Sequence, residues 1–108
     1  GEGMKDEWLQ HLSDTNTLFI INGQNAFTDD GIKALTNVKV LVLYECNAIT
    51  GDGFSTLVNL EQITLTRCSE ITDSGLKRLH SVKRINVRNC RHITKEGVKA
   101  MGGRCTYR

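Results

Sequence analysis

The fixed spacing of three cysteines is the feature that most constrains this chain. Cys46, Cys68 and Cys90 are spaced 22 apart both times, and their neighbours keep phase: Leu41/Ile63/Ile85, Leu43/Leu65/Val87, Ile49/Ile71/Ile93, Thr50/Thr72/Thr94, Gly53/Gly75/Gly97 and Leu57/Leu79/Met101. Self-similarity at this spacing marks a stack of small units, each unable to bury its apolar side without the next. One further step of the same length toward the start reaches Phe19, Ile21, Phe27, Thr28, Gly31, Ile32 and Leu35, which predicts a fourth copy with Gln24 in the cysteine's place.

Each unit divides in two. In Val40-Leu41-Val42-Leu43 and its counterparts, apolar residues of period two predict a short strand. Leu41 and Leu43 face inward there, while Val40, Val42 and Tyr44 face out. The threonine that follows is placed to cap a short helical stretch. Glycine three residues after it, at a cost in a helix of roughly 0.5–1 kcal/mol, predicts close contact with the next coil. Ile32, Phe54, Leu76 and Val98, with Leu35, Leu57, Leu79 and Met101, bury that half.

The unit Val82-x-x-Ile85-x-Val87-x-x-Cys90-x-x-Ile93-Thr94-x-x-Gly97-Val98-x-x-Met101 resembles the cysteine-containing subclass of leucine-rich repeats, as found in the repeat regions of F-box substrate receptors. The resemblance extends over residues 16–101. It implies an α/β fold, a right-handed leucine-rich-repeat solenoid of four 22-residue repeats with a parallel sheet on the concave face and helices on the convex face. More distantly, the chain resembles the mitochondrial ATP synthase coupling factor B family.

The flanks are assigned around the repeats. Residues 4–15 are expected to form an N-terminal capping helix with Trp8 as its main packing residue, and residues 102–108 a stub of a fifth strand with Tyr107 at the first inward position. Gly1-Glu2-Gly3 is set aside as a remnant of processing. No charged-then-apolar leader is recognised, and no apolar run approaches the roughly 20 residues of a membrane span.

Three of the four cysteines sit at the repeat period, where their side chains point inward in parallel. They are expected to be free thiols, which favours an intracellular reducing compartment, the cytoplasm first and the mitochondrion as alternative. Cys90 and His92 are close in sequence, but a column of parallel thiols does not converge as a tetrahedral metal site requires. No metal, cofactor or catalytic group is expected, since phosphate loops, nucleophile elbows and metalloprotease motifs are all missing. Cys105 is a candidate reactive thiol only by its position near the end.

The remaining chemistry lies on the outward strand positions. In the 22-residue register these read Leu18, Ile20 and Asn22, then Val40, Val42 and Tyr44, then Gln62, Thr64 and Thr66, then Arg84, Asn86 and Arg88, with Arg67 just beyond its strand. Residues 1–54 carry 3 Lys/Arg and 8 Asp/Glu, a net −5, whereas residues 55–108 carry 11 and 4, a net +7. The chain is thus expected to be an electrical dipole. The candidate partner-binding residues are Leu18, Ile20, Val40, Val42, Tyr44, Arg67, Arg84 and Arg88. They imply a protein partner with an apolar element and acidic groups. Nucleic acid is disfavoured because no aromatic residues interleave with the arginines. The expected function is a non-enzymatic interaction module of substrate-receptor or adaptor type, with a mitochondrial coupling or assembly factor as the alternative.

Overall fold

In the computed structural model, which describes residues 5–107, five strands form one parallel sheet in sequence order. They are β1 (Thr17–Ile21), β2 (Val40–Tyr44), β3 (Gln62–Thr66), β4 (Arg84–Arg88) and β5 (Cys105–Tyr107). Parallel neighbours require the chain to cross back between strands. Before the sheet, α1 (Lys5–Gln10) packs on α2 (Asp29–Ile32), which lies in the first crossover. The later crossovers carry a 3-10 turn (Phe54–Thr56), α3 (Asp73–Lys77) and α4 (Lys95–Ala100). The arrangement of parallel sheet and helices is compatible with a leucine-rich solenoid.

Alternation sets one face of the sheet into the core. Leu41, Leu43, Ile63, Leu65, Ile85 and Val87 are buried, while the residues between them are partly or fully exposed. Ile49, Ile71, Leu76 and Leu79 close the interior from the helical side. At the end of each of β1 to β4 stands a left-handed residue, with φ of 58° at Asn22, 55° at Glu45, 54° at Arg67 and 53° at Asn89. This turns the chain inward without breaking the ladder. The amides of Asn22, Glu45 and Arg67 still donate to the carbonyls of Tyr44, Thr66 and Arg88, each at 2.9 Å.

The first strand departs from the expected register. Leu18 pairs with Leu41 and Ile20 with Leu43, one position more than the spacing at which β2, β3 and β4 succeed one another. The extra residue lies between Gly23 and Thr28, and Gly23, not Gln24, takes the cysteine's place. A methyl group built there would come within 2.8 Å of the Cys46 sulfur. Because strand faces alternate every residue, the slip exchanges the two sides. Leu18 is half-buried against the core and Ile20 is 5% exposed, while Phe19 and Ile21 stand out at 59% and 61%. The outward placement of Leu18 and Ile20 is therefore corrected to Phe19 and Ile21.

Two end assignments also change. In α1 it is Leu9, 1% exposed, that enters the core, and Trp8 is 52% exposed. At the other end Cys105, rather than Tyr107, stands opposite Ile85. The expected helix start at Met4 falls outside the described residues.

Helix termini are tied between units by carboxylates. Asp6 accepts from the amide of Thr28 at 2.8 Å and from its hydroxyl at 2.5 Å. Asp29 accepts from the amide and hydroxyl of Thr50 and from the amide of Gly51, and Asp73 from the amide and hydroxyl of Thr94. This explains the recurrent glycine, whose close contact is with the preceding unit. A methyl group at Gly31 would collide with the Asp6 carboxylate, and one at Gly97 with the Asp73 carboxylate. The series is interrupted at Gly51, which replaces the aspartate. There φ is +102°, and the backbone of Gly75 packs directly on it. Thr72 and Thr94 cap as expected, accepting from Gly75 and Gly97. Thr28 instead donates to Asp6.

Replacing Asp29 by Ala strands the amides of Thr50 and Gly51, and the expected loss is about 1–3 kcal/mol. The neighbouring Asp30, on the surface in a 3.7 Å pair with Lys33, is expected to change stability by less than about 0.5 kcal/mol when replaced. Urea denaturation of the two variants measures the difference; equal midpoints would contradict the role given to Asp29.

Candidate functional site

The open face of the sheet carries a gradient from apolar to basic. On β1 and β2 the outward side chains are Thr17, Phe19 and Ile21, then Val40, Val42 and Tyr44. β3 contributes Gln62, Thr64 and Thr66, and β4 contributes Arg84, Asn86 and Arg88. With Phe19 and Ile21 in place of Leu18 and Ile20, the apolar end presents larger and more exposed groups than the expected register implied. Tyr44 joins the halves, its ring centroid lying 5.9 Å from the guanidinium carbon of Arg67. Arg67 sits in a left-handed conformation that asparagine would adopt at lower cost.

At the basic end a groove of about 670 Å³ opens over β4. Its cations are Lys83, Arg84, Arg88 and Arg104, and no acidic side chain lines it among the described residues. Arg104 is already engaged. Its guanidinium donates to the carbonyls of Met101 and Leu79 at 3.1 and 2.8 Å and also to that of Val82, closing the last turn. Among the described residues, ion pairs join Lys33 to Asp30 and Arg78 to Asp52, so Lys83, Arg84 and Arg88 have no carboxylate partner there. The floor is a directed chain of hydrogen bonds. The Thr106 hydroxyl donates to Asn86 Oδ1 at 2.9 Å, and Asn86 Nδ2 donates to the Thr64 hydroxyl at 3.4 Å. That order leaves the Thr64 proton available to a bound acceptor.

The thiols are placed for structure. Cys46, Cys68 and Cys90 are free and fully buried. Each sulfur lies 3.5–3.8 Å from two carbonyls, one on its own strand and one on the strand before. Cys68, giving its proton toward Cys46 and shielded from water, is pushed up to about 11. Cys90 is raised for the same two reasons, its proton shared with Cys68. Cys46 is the acceptor of this series, held below the ordinary thiol value by the Cys68 thiol and then by the Gly23 backbone. Cys105 is buried and raised by loss of solvent. His92 lies exposed with Nδ1 against the Ser69 carbonyl, apart from the buried Cys90 sulfur. Among the described residues no three His, Cys, Asp or Glu side chains gather in a way that could hold a metal, and no helix is long and apolar enough to cross a membrane.

Residues 78–102 match the family described as Leucine Rich repeat. No curated protein matches the chain. The matched stretch contains β4 and α4, hence Lys83, Arg84, Asn86 and Arg88 of the groove. A repeat of this kind suggests a protein–protein interaction module.

Buried protonated thiols make stability depend on alkali. Below the ordinary thiol value of about 8.5 both folded and unfolded chains keep these protons. Above it the unfolded chain loses protons that Cys68 and Cys90 retain, so stability falls as pH rises toward 11. The urea midpoint is expected to be lower at pH 10.5 than at pH 8, with a smaller drop in Cys68→Ala. An unchanged slope in that variant would show that other groups control the alkaline loss. In denaturant without reductant, thiol titration is expected to find all four groups.

Proposed function

We propose that this protein is a non-enzymatic interaction module, a right-handed stack of four leucine-rich repeats of the cysteine-containing kind that grips a protein partner on the open, concave face of its sheet. The observation that carries this reading is the asymmetry of that face. Phe19, Ile21, Val40, Val42 and Tyr44 present contiguous apolar and aromatic surface at one end, and Arg67, Arg84 and Arg88 present charge with no carboxylate partner among the described residues at the other. Exposed apolar surface grouped in this way marks contact sites on globular proteins, and Tyr and Arg are the residues that most often anchor them. Charge complementarity selects the occupant: an element with apolar side chains toward β1 and β2 and carboxylates or other anions toward β4.

The role is that of a substrate receptor or adaptor acting in a reducing compartment, where the buried thiols stay free. Arg67 supports the reading by its cost. A left-handed arginine contributes nothing to the core, and its guanidinium lies near the Tyr44 ring at the junction between the apolar and basic halves.

The experiment recovers the partner by affinity capture and then measures its dissociation constant on variants. Phe19→Asp and Val42→Asp are expected to weaken binding by about 2 kcal/mol or more, the cost of an unpaired charge in a desolvated centre. Arg88→Glu is expected chiefly to slow association and flatten its dependence on salt. Lys77→Glu, on the helical side, is the control and is expected to bind as the unaltered protein does. If Lys77→Glu abolished binding while Val42→Asp and Arg88→Glu bound normally, the partner surface would be the helical side.

A further inference from the structure

We infer that the groove over β4 is a phosphate-recognition subsite, and that the partner's anionic element is a phosphorylated side chain of an extended peptide crossing the strands. This rests on the reading of the open face as the partner surface and specifies its chemistry. Three cations with no carboxylate partner among the described residues, Lys83, Arg84 and Arg88, line one cavity of about 670 Å³. Arg84 and Arg88 lie on the same face of β4 on either side of Asn86, and both line the one groove. A phosphate monoester carries a charge near −2 and three acceptor oxygens, and guanidinium forks match such oxygens in pairs. The third oxygen meets the Thr64 hydroxyl, whose proton the chain Thr106–Asn86–Thr64 leaves free. A single carboxylate would leave more of this positive charge unmatched.

The same face sets a spacing. Val42 and Asn86 are the middle outward residues of β2 and β4, two strands apart. That separation is about 10 Å, the rise of roughly three residues of extended chain. A peptide crossing the sheet with its phosphate in the groove therefore places an apolar side chain three or four positions away over Val42 and Tyr44, on the side toward β1. A nucleic acid would supply phosphates too. It would need faces on which to stack its bases, and no aromatic side chain lines the groove.

The test uses the full chain and a degenerate peptide library with phosphoserine fixed at its centre, beside libraries with serine or glutamate fixed there. The expected result is selection of the phosphoserine library over both others by at least about tenfold, with an apolar residue enriched three or four positions from the phosphate on one side only. For a peptide of the selected sequence, Arg84→Ala with Arg88→Ala is expected to bring the phosphorylated form down to the affinity of the unphosphorylated one. Val42→Asp is expected to weaken both forms by the same factor. Inorganic phosphate is expected to compete only at far higher concentration than the peptide.

Equal binding of the phosphoserine and glutamate libraries would overturn the inference. So would a phosphate preference that survives the double arginine variant, or tighter binding of a single-stranded oligonucleotide than of the selected phosphopeptide. The partner-surface reading fails separately: if Val42→Asp left the affinity of the captured partner unchanged, the sheet face would not be its contact, whatever the libraries showed. Circular dichroism of each variant checks that the fold is kept, as the exposure of Arg84 and Arg88 and the outward setting of Val42 imply.

Discussion

No unit of this chain buries its own apolar half, and the contact between successive units is the interaction on which everything else depends. It is built in three parallel tracks. The strand ladder supplies backbone bonds, the inward leucines, isoleucines and cysteines supply the apolar column, and on the helical side Asp6, Asp29 and Asp73 tie Thr28, Thr50 and Thr94 to the unit before, with Gly51 in the aspartate's place below Thr72. The tracks run at different radii, so they stay in step only if every crossover returns the chain to the same relative position. The common spacing achieves that between β2 and β4. In the first unit the strand is one residue further from the helix, and the short segment 24–27 absorbs the difference, with Gln24 in a left-handed conformation. Both anchors are kept, and only the loop between them is altered.

That local accommodation explains what is legible from residues alone and what is not. The inward positions of β2 to β4 follow from alternation, because in Val40-Leu41-Val42-Leu43 and its counterparts the repeats agree on which residues are large and which vary. The first strand, Thr17-Leu18-Phe19-Ile20-Ile21, is apolar at four successive positions, so alternation is silent and the phase has to be borrowed from the helix. Thr28, Gly31, Ile32 and Leu35 are in phase with the later units, and extending that phase back through the loop puts Phe19 and Ile21 inside. A signal against it is present in the chain. Asn22-Gly23 matches Asn89-Cys90 as a left-handed residue followed by a small inward one, and Asp6 precedes Asp29 by one position more than the common spacing. The helix at the start misleads for a related reason, since Trp8 outweighs Leu9 in size but does not share its place over the core.

The groove is out of reach in a different way. Arg84 and Arg88 are visible as outward cations, but Lys83 and Arg104 come from a turn and from the end of the chain. Their convergence depends on β5, which follows β4 two positions sooner than the common spacing would place it. The shortened last unit brings Thr106 beside Asn86 and so completes the hydrogen-bonded floor. Cys105, which reads as a loose end, becomes the inward residue that holds this strand in place.

The buried core and the proposed recognition surface lie on opposite sides of the same strands, and this separation follows from the pleat. Changing Leu41 or Ile63 removes buried contacts and costs a few kcal/mol, whereas Val42 and Thr64, one residue later, pack against solvent or a partner. The face can therefore differ from strand to strand without affecting the stack, which is why an apolar β2 and a basic β4 coexist within two strand spacings. The cationic half does have an energetic consequence. Like charges crowded over β4 repel one another, and a few surface ion pairs elsewhere do not offset that field. Arg104, by its bonds to three carbonyls, ties one wall of the groove to the last turn. In the proposed subsite a wall fixed in advance reduces the freedom lost on binding, which leaves selectivity to the charge and shape of what enters.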